Sequence, residues 1–156
     1  MTLFLSTFVN KIDKKGRISV PSTFRTALAS EGFQGIVAFR SYKHDAIEAC
    51  GMDRMQRLSS SVDDLDFFSD KQDDLTATIF SDSQQLPFDS EGRIVLPKLL
   101  MDHAKITESA AFIGRGATFQ IWHPETFERH QQQARNRVVE QQMTLRLRPE
   151  PEAAGK

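Results

Sequence analysis

The run Asp13-Lys14-Lys15-Gly16-Arg17-Ile18-Ser19-Val20-Pro21 returns 76 positions later as Asp89-Ser90-Glu91-Gly92-Arg93-Ile94-Val95-Leu96-Pro97, with Asp, Gly, Arg, Ile and Pro identical in both copies. The chemistry such a segment can do is anion and base-edge recognition. Arginine offers a planar fork that pairs with two acceptors of guanine in the major groove, and lysine offers a point charge for phosphate. In the first copy Lys14, Lys15 and Arg17, with Lys11 just upstream, supply both functions. The second copy has Ser90 and Glu91 where the lysines stood, leaving Arg93 beside an added negative charge. Asp13 and Asp89 precede their arginines by four residues and can orient them. An Asp–Arg pair that only fixes the turn is the competing reading, stronger for Arg93 than for Arg17, and Lys14 and Lys15 also read as solubilising charges.

The elements that must position these residues also repeat. Gly16 and Gly92 can take positive φ and close a tight turn between two strands. Period-2 geometry then sends Ile18 and Val20 to one face and Arg17 and Ser19 to the other, so Arg17 should face outward. Pro21 and Pro97 stand where a helix begins, and short helical patterns follow over 22–29 and 98–105. Apolar strand patterns come next, at 36–39 and 46–49 in the first copy and 111–113 and 119–122 in the second. Each half therefore reads β-turn-β-α-β-β. A half of about 45 residues buries too little apolar surface to stand alone, so the two must share a core through interlocked hairpins related by a pseudo-two-fold.

Charge is unevenly placed in a chain whose net charge is −1. Residues 1–44 hold seven Lys/Arg against two Asp/Glu, residues 45–92 three against twelve, and residues 93–156 ten against seven. Local basic patches rather than the total decide whether a surface can meet phosphate. Met52, Met55 and Leu58 have helical spacing, and the acidic stretch 63–74 reads as a solvated loop. Residues 124–142 read as a polar helix opened by Pro124, and 146–156 as a frayed tail. Phe67 and Phe68 are expected to point outward.

Other constellations carry less. Cys50 is the single cysteine, which excludes an intramolecular disulfide and reads as a small buried hydrophobe. His44, His103, His123 and His130 lack metal-ligand spacing and a nucleophile partner, so no metal site, cofactor or catalytic residue is expected and the chain does not read as an enzyme. Gly114-Arg115-Gly116 reads as a turn between strands, and Phe119, Ile121 and Trp122 as core and subunit contact. No signal peptide or membrane-length apolar run is present in the sequence, which gives the expectation of a cytoplasmic protein.

The paired motifs, with Phe8-Val9-Asn10 ahead and Phe119-Gln120-Ile121-Trp122 behind, resemble the MraZ family over nearly the whole chain. That resemblance implies an α+β, mainly β fold: an AbrB-like double-ψ or swapped-hairpin barrel made by two internal repeats with flanking helices. Its units would be a SpoVT-AbrB-like repeat at 7–54, a helix and acidic connector at 55–82, a second repeat at 83–126, and a C-terminal helix and flexible tail at 127–156. It further implies a cytoplasmic, nucleoid-associated regulator that binds double-stranded DNA at short tandem promoter repeats of the division and cell-wall gene cluster, its own promoter among them, as a ring-like homo-oligomer. The DNA-facing positions carried over are Asp13, Arg17, Asp89 and Arg93, beside Lys11, Lys14 and Lys15 from the charge reading. The alternative is an antitoxin-like AbrB-fold module that holds a partner protein, with the acidic connector as docking segment and DNA binding secondary.

Overall fold

A computed structural model describes residues 3–151, so the end of the expected tail, 152–156, lies outside the described residues. The first half contains β1 (Thr7–Lys11), β2 (Arg17–Ser19), α1 (Ser22–Leu28), β3 (Gly35–Arg40) and β4 (Ile47–Cys50). After α2 (Met52–Asp63) and α3 (Asp70–Ile79), the second half repeats the order as β5 (Gln84–Pro87), β6 (Arg93–Val95), α4 (Lys98–Ala104), β7 (Ser109–Gly114) and β8 (Phe119–Trp122), followed by α5 (Pro124–Glu140).

The halves exchange strands. Six of the strands form one antiparallel sheet in the order β1-β7-β8-β4-β3-β5, and β2 and β6 pair with each other as a separate antiparallel ribbon. The first strand of each half thus pairs with the other half, β1 on β7 and β5 on β3. Equivalent residues face one another where the halves meet: Ile18 opposite Ile94 in the ribbon, and Glu48 opposite Gln120 between β4 and β8. A pseudo-two-fold axis passes through both places. The class is mixed α+β, with the sheet at the centre and five helices around it.

The sheet is covered on both faces, which is why its central strands read as unbroken apolar runs and not as alternating ones. On one face Ile36, Ala38, Phe112 and Phe119 join Ile18 and Ile94 of the ribbon and Phe24 and Leu100 of α1 and α4 in the main core. Phe24 is its hub, with ring centroids 5.2 Å from Phe4 and 5.0 Å from Phe119. On the other face Met55 of α2 packs on Val37, Phe39 and Cys50, and Phe127 of α5 packs on Trp122, Ala111 and Ile113. Each half therefore ends in a helix of its own, α2 or α5, that seals the back of its strands.

The acidic stretch is not wholly a loop: Asp70–Asp74 lie in α3. The Ser69 side chain accepts from the Gln72 backbone N–H, and Asp70 and Asp73 occupy the first turn, where carboxylates favour the positive end of the helix. A charge run that resembles a solvated loop is here a helix start. Phe67 and Phe68 sit in the loop before it, 76% and 93% exposed, with their rings against each other. Phe119, Ile121 and Trp122 are buried within this chain, which leaves them no surface for subunit contact.

Candidate nucleic-acid interface

Each Asp-x-x-x-Arg turn is built around its aspartate. Asp13 Oδ1 accepts from the backbone N–H of Lys15 and of Arg17, both at 2.9 Å, and Oδ2 accepts from Arg17 Nε at 2.6 Å. Asp89 does the same for Glu91, Arg93 and Arg93 Nε, the last at 2.8 Å. The backbone closes with the Gly N–H donating to the Asp carbonyl at 3.0 Å in both copies. Because the Arg17 backbone N–H, with help from its guanidinium, favours the carboxylate by more than desolvation opposes it, Asp13 is held below its usual range, and Asp89 is held down by Arg93 in the same way.

The glycines are required by conformation, with φ +81° at Gly16 and +75° at Gly92. An added Cβ at Gly16 would meet only ordinary neighbours, Leu96 O at 3.4 Å, whereas at Gly92 it would fall 2.6 Å from Arg25 Cζ. Gly16→Ala is expected to cost about 1–2 kcal/mol from the left-handed backbone. Gly92→Ala should cost more, because the Arg25 guanidinium must also move; denaturant unfolding of both variants checks the order, and an equal loss would contradict it.

The ribbon brings the two turns together. Arg17 lies opposite Val95 and Ser19 opposite Arg93, so these four side chains share the outward face while Ile18 and Ile94 are buried beneath. Strand spacings put the two arginine Cα atoms roughly 8 Å apart, diagonally across the ribbon. Crossed backbone bonds lock this register, Val20 N–H to Gly92 O at 3.1 Å and Leu96 N–H to Gly16 O at 2.8 Å. Lys14 and Lys15 are exposed at the apex of the first turn, and Lys11, also exposed, ends β1 just before it.

The two arginines are held unequally. Among the described residues only Nε of Arg17 has a partner, so its terminal nitrogens are free to form a fork. Arg93 also reaches Glu91 with Nη1 at 3.4 Å, and its side chain is 26% exposed against 35% for Arg17. Its hydrogen bond to the Asp89 carboxylate, then the charges of Asp89 and Glu91, raise its pKa against desolvation. Arg25 of α1 was not among the residues singled out in the sequence; its Nε donates to Val20 O at 3.1 Å and its guanidinium lies against Gly92. The repeat holds the one hint, since the position equivalent to Arg25 is the uncharged Met101.

Cys50 is buried, and burial pushes its thiol pKa up to about 12, which suppresses the reactive thiolate. His44 and His130 pack on Trp122, with His130 stacked at 4.8 Å, and burial, then the His44 charge, lowers the His130 pKa. Gly116 has φ +81° and Arg115 N–H donates to Thr118 O, so 114–116 belong to a turn between β7 and β8. Among the described residues no group of three or more His, Cys, Asp or Glu could hold a metal ion, and no helix is long and apolar enough to cross a membrane.

The sequence is similar to named proteins over most of its length. A protein of Pelagibacter ubique named transcriptional regulator MraZ is 48% identical over 136 residues, 87% of this chain and 88% of the relative. Another with that name, from Rickettsia akari, is 43% identical over 94% of this chain and 98% of its own length. The chain belongs to the MraZ family. The family model "MraZ protein, putative antitoxin-like" matches residues 79–148, which hold the second repeat and all of α5. The MraZ relatives extend the match across the first repeat, with its lysine-bearing turn.

Proposed function

We propose that the protein is a sequence-specific transcriptional regulator that grips double-stranded DNA with the outward face of the β2–β6 ribbon. The carrying observation is that this ribbon sets Arg17 and Arg93 on one face, each oriented by its own aspartate, with the terminal nitrogens of Arg17 unpaired. A two-stranded β-ribbon fits the major groove, and an exposed Asp–Arg pair is weak enough for guanine to compete for the fork. Lys11, Lys14 and Lys15 add phosphate attraction on the first side. The relatives' name points to the same role.

The repeats at 7–54 and 83–126 act in this reading as two SpoVT-AbrB-like units of one binding module, not as a catalyst, in the cytoplasm at the nucleoid. Its targets are short tandem promoter repeats of the division and cell-wall gene cluster, including the promoter of its own gene. One ribbon makes few base contacts, so useful affinity calls for several copies in a ring-like homo-oligomer reading repeated sites at high effective concentration. The exposed Phe67–Phe68 pair gives such an assembly apolar surface to bury. Light scattering should show a mass several times that of one chain, and a monomer at micromolar concentration with and without DNA would contradict it.

The antitoxin-like module remains the second reading, favoured by the family model's description as putative antitoxin-like, with the exposed Asp70, Asp73 and Asp74 of α3 as its docking segment. A gel shift against the duplex upstream of the protein's own gene, with a scrambled control, tests the proposal. The upstream duplex should shift at lower protein concentration than the control. Equal shifts would refute sequence specificity, and no shift would refute DNA as the ligand.

A further inference from the structure

The second turn has a cation that its own repeat does not encode. Within that turn Arg93 is engaged by Asp89 and Glu91, and Ser90 and Glu91 stand where the first turn has Lys14 and Lys15. Taken alone, it would present a phosphate with Glu91 and an arginine already occupied. Arg25 changes this. It reaches over from α1 of the first repeat, and its guanidinium lies against Gly92, so close that a Cβ there would sit 2.6 Å from both Cζ and Nε. Nε is fixed by Val20 O at 3.1 Å, while the two terminal nitrogens have no partner among the described residues. They border a groove of about 490 Å³ whose lining includes the hydroxyl-bearing Ser22, Thr26 and Ser90. Asp89 also lines it, but both of its oxygens are turned into the loop, on two backbone N–H groups and on Arg93.

We infer that Arg25 and the hydroxyls of Ser22 and Ser90 form a binding site for a DNA backbone phosphate beside the second turn. The first repeat thereby lends a cation to the turn that lost its own. This rests on the reading of the ribbon as a DNA-binding face. A fixed Nε with free terminal nitrogens gives a preorganised fork, which suits a phosphate's two oxygens better than a mobile lysine does. The site also gives the glycine at position 92 a second purpose: the guanidinium can lie there only because no side chain occupies the space. The second repeat has Met101 at the position equivalent to Arg25, and the first turn carries its own charge on Lys14 and Lys15. Arg25 would position the duplex without reading its sequence, because phosphate contacts are the same on every duplex.

The test is a salt series of binding isotherms on the full chain, with the upstream promoter duplex and a scrambled duplex as probes. Arg25→Gln, Arg25→Lys and Ser22→Asp are compared with the unaltered protein, each with a thermal melt. Arg25→Gln should weaken both duplexes by the same factor and flatten the plot of log K against log salt by about 0.9 per engaged module, the value for one lost phosphate contact. Arg25→Lys should keep the slope. Ser22 is exposed in the first turn of α1, where an added carboxylate favours the helix, so Ser22→Asp should hold its melting temperature and still weaken binding several-fold at low salt. Arg25→Gln folded and with an unchanged slope would overturn the assignment and leave Arg25 as a brace for the turn. If Arg25→Gln does not fold, Ser22→Asp decides, and unaltered affinity there would overturn the site. Failure of the unaltered protein to bind either duplex would instead bring down the DNA reading itself.

Discussion

Arg17→Ala should weaken promoter binding by about 1–3 kcal/mol for each engaged module, roughly 5- to 150-fold, and relax base preference at the position it reads. The size follows from what is removed. Arg17 keeps both terminal nitrogens available, and Asp13 fixes its Nε, so the fork is oriented before DNA arrives. The loss multiplies over modules that bind together. Arg93→Ala should affect DNA less and stability more, since that side chain is further buried and bonded to two carboxylates of its own turn. Isotherms with thermal melts separate the two. If Arg93→Ala abolishes binding while Arg17→Ala leaves it intact, the first turn is not the reader.

Salt should have the largest effect of all. With Lys11, Lys14 and Lys15 each neutralising one phosphate, these lysines alone contribute a slope of about −2.7 in log K against log salt per module, and about −5.4 in two modules. An approximately fourfold rise in salt would then cost roughly three orders of magnitude in affinity. Lys15→Ala should weaken every duplex alike and flatten the slope by about 0.9 per module, a pattern distinct from the base-selective loss at Arg17. Affinity that holds constant over that salt range would argue against DNA as the ligand.

The parts of this site that were legible in the sequence are those governed by local geometry. Gly16 and Gly92 are read correctly because a positive φ is a one-residue property, and the burial of Ile18 and Ile94 because a strand alternates. The sharing of a core followed from the small size of each half. What escaped depends on partners distant in sequence or on competition between local effects. Arg25 is an ordinary helix residue until the fold sets it on Gly92. The start of α3 was hidden because Asp70, Asp73 and Asp74 suit a loop by composition, while Ser69 makes them a capped helix. The equivalence of α2 and α5 was hidden too, since Met55 and Phe127 share only apolar character and reveal their common role by covering the back of the sheet.

Ser19 lies on the outward face of the ribbon between the two arginines and is exposed, so it marks the place where DNA should sit. A photo-crosslinking residue at position 19, with one at the exposed Gln133 of α5, which covers the other face of the sheet, as control, tests that placement in the assembled protein. Crosslinks from position 19 to bases of the promoter duplex, and none from position 133, are the expected result. Crosslinks from position 133 alone would contradict the ribbon as the DNA-binding surface.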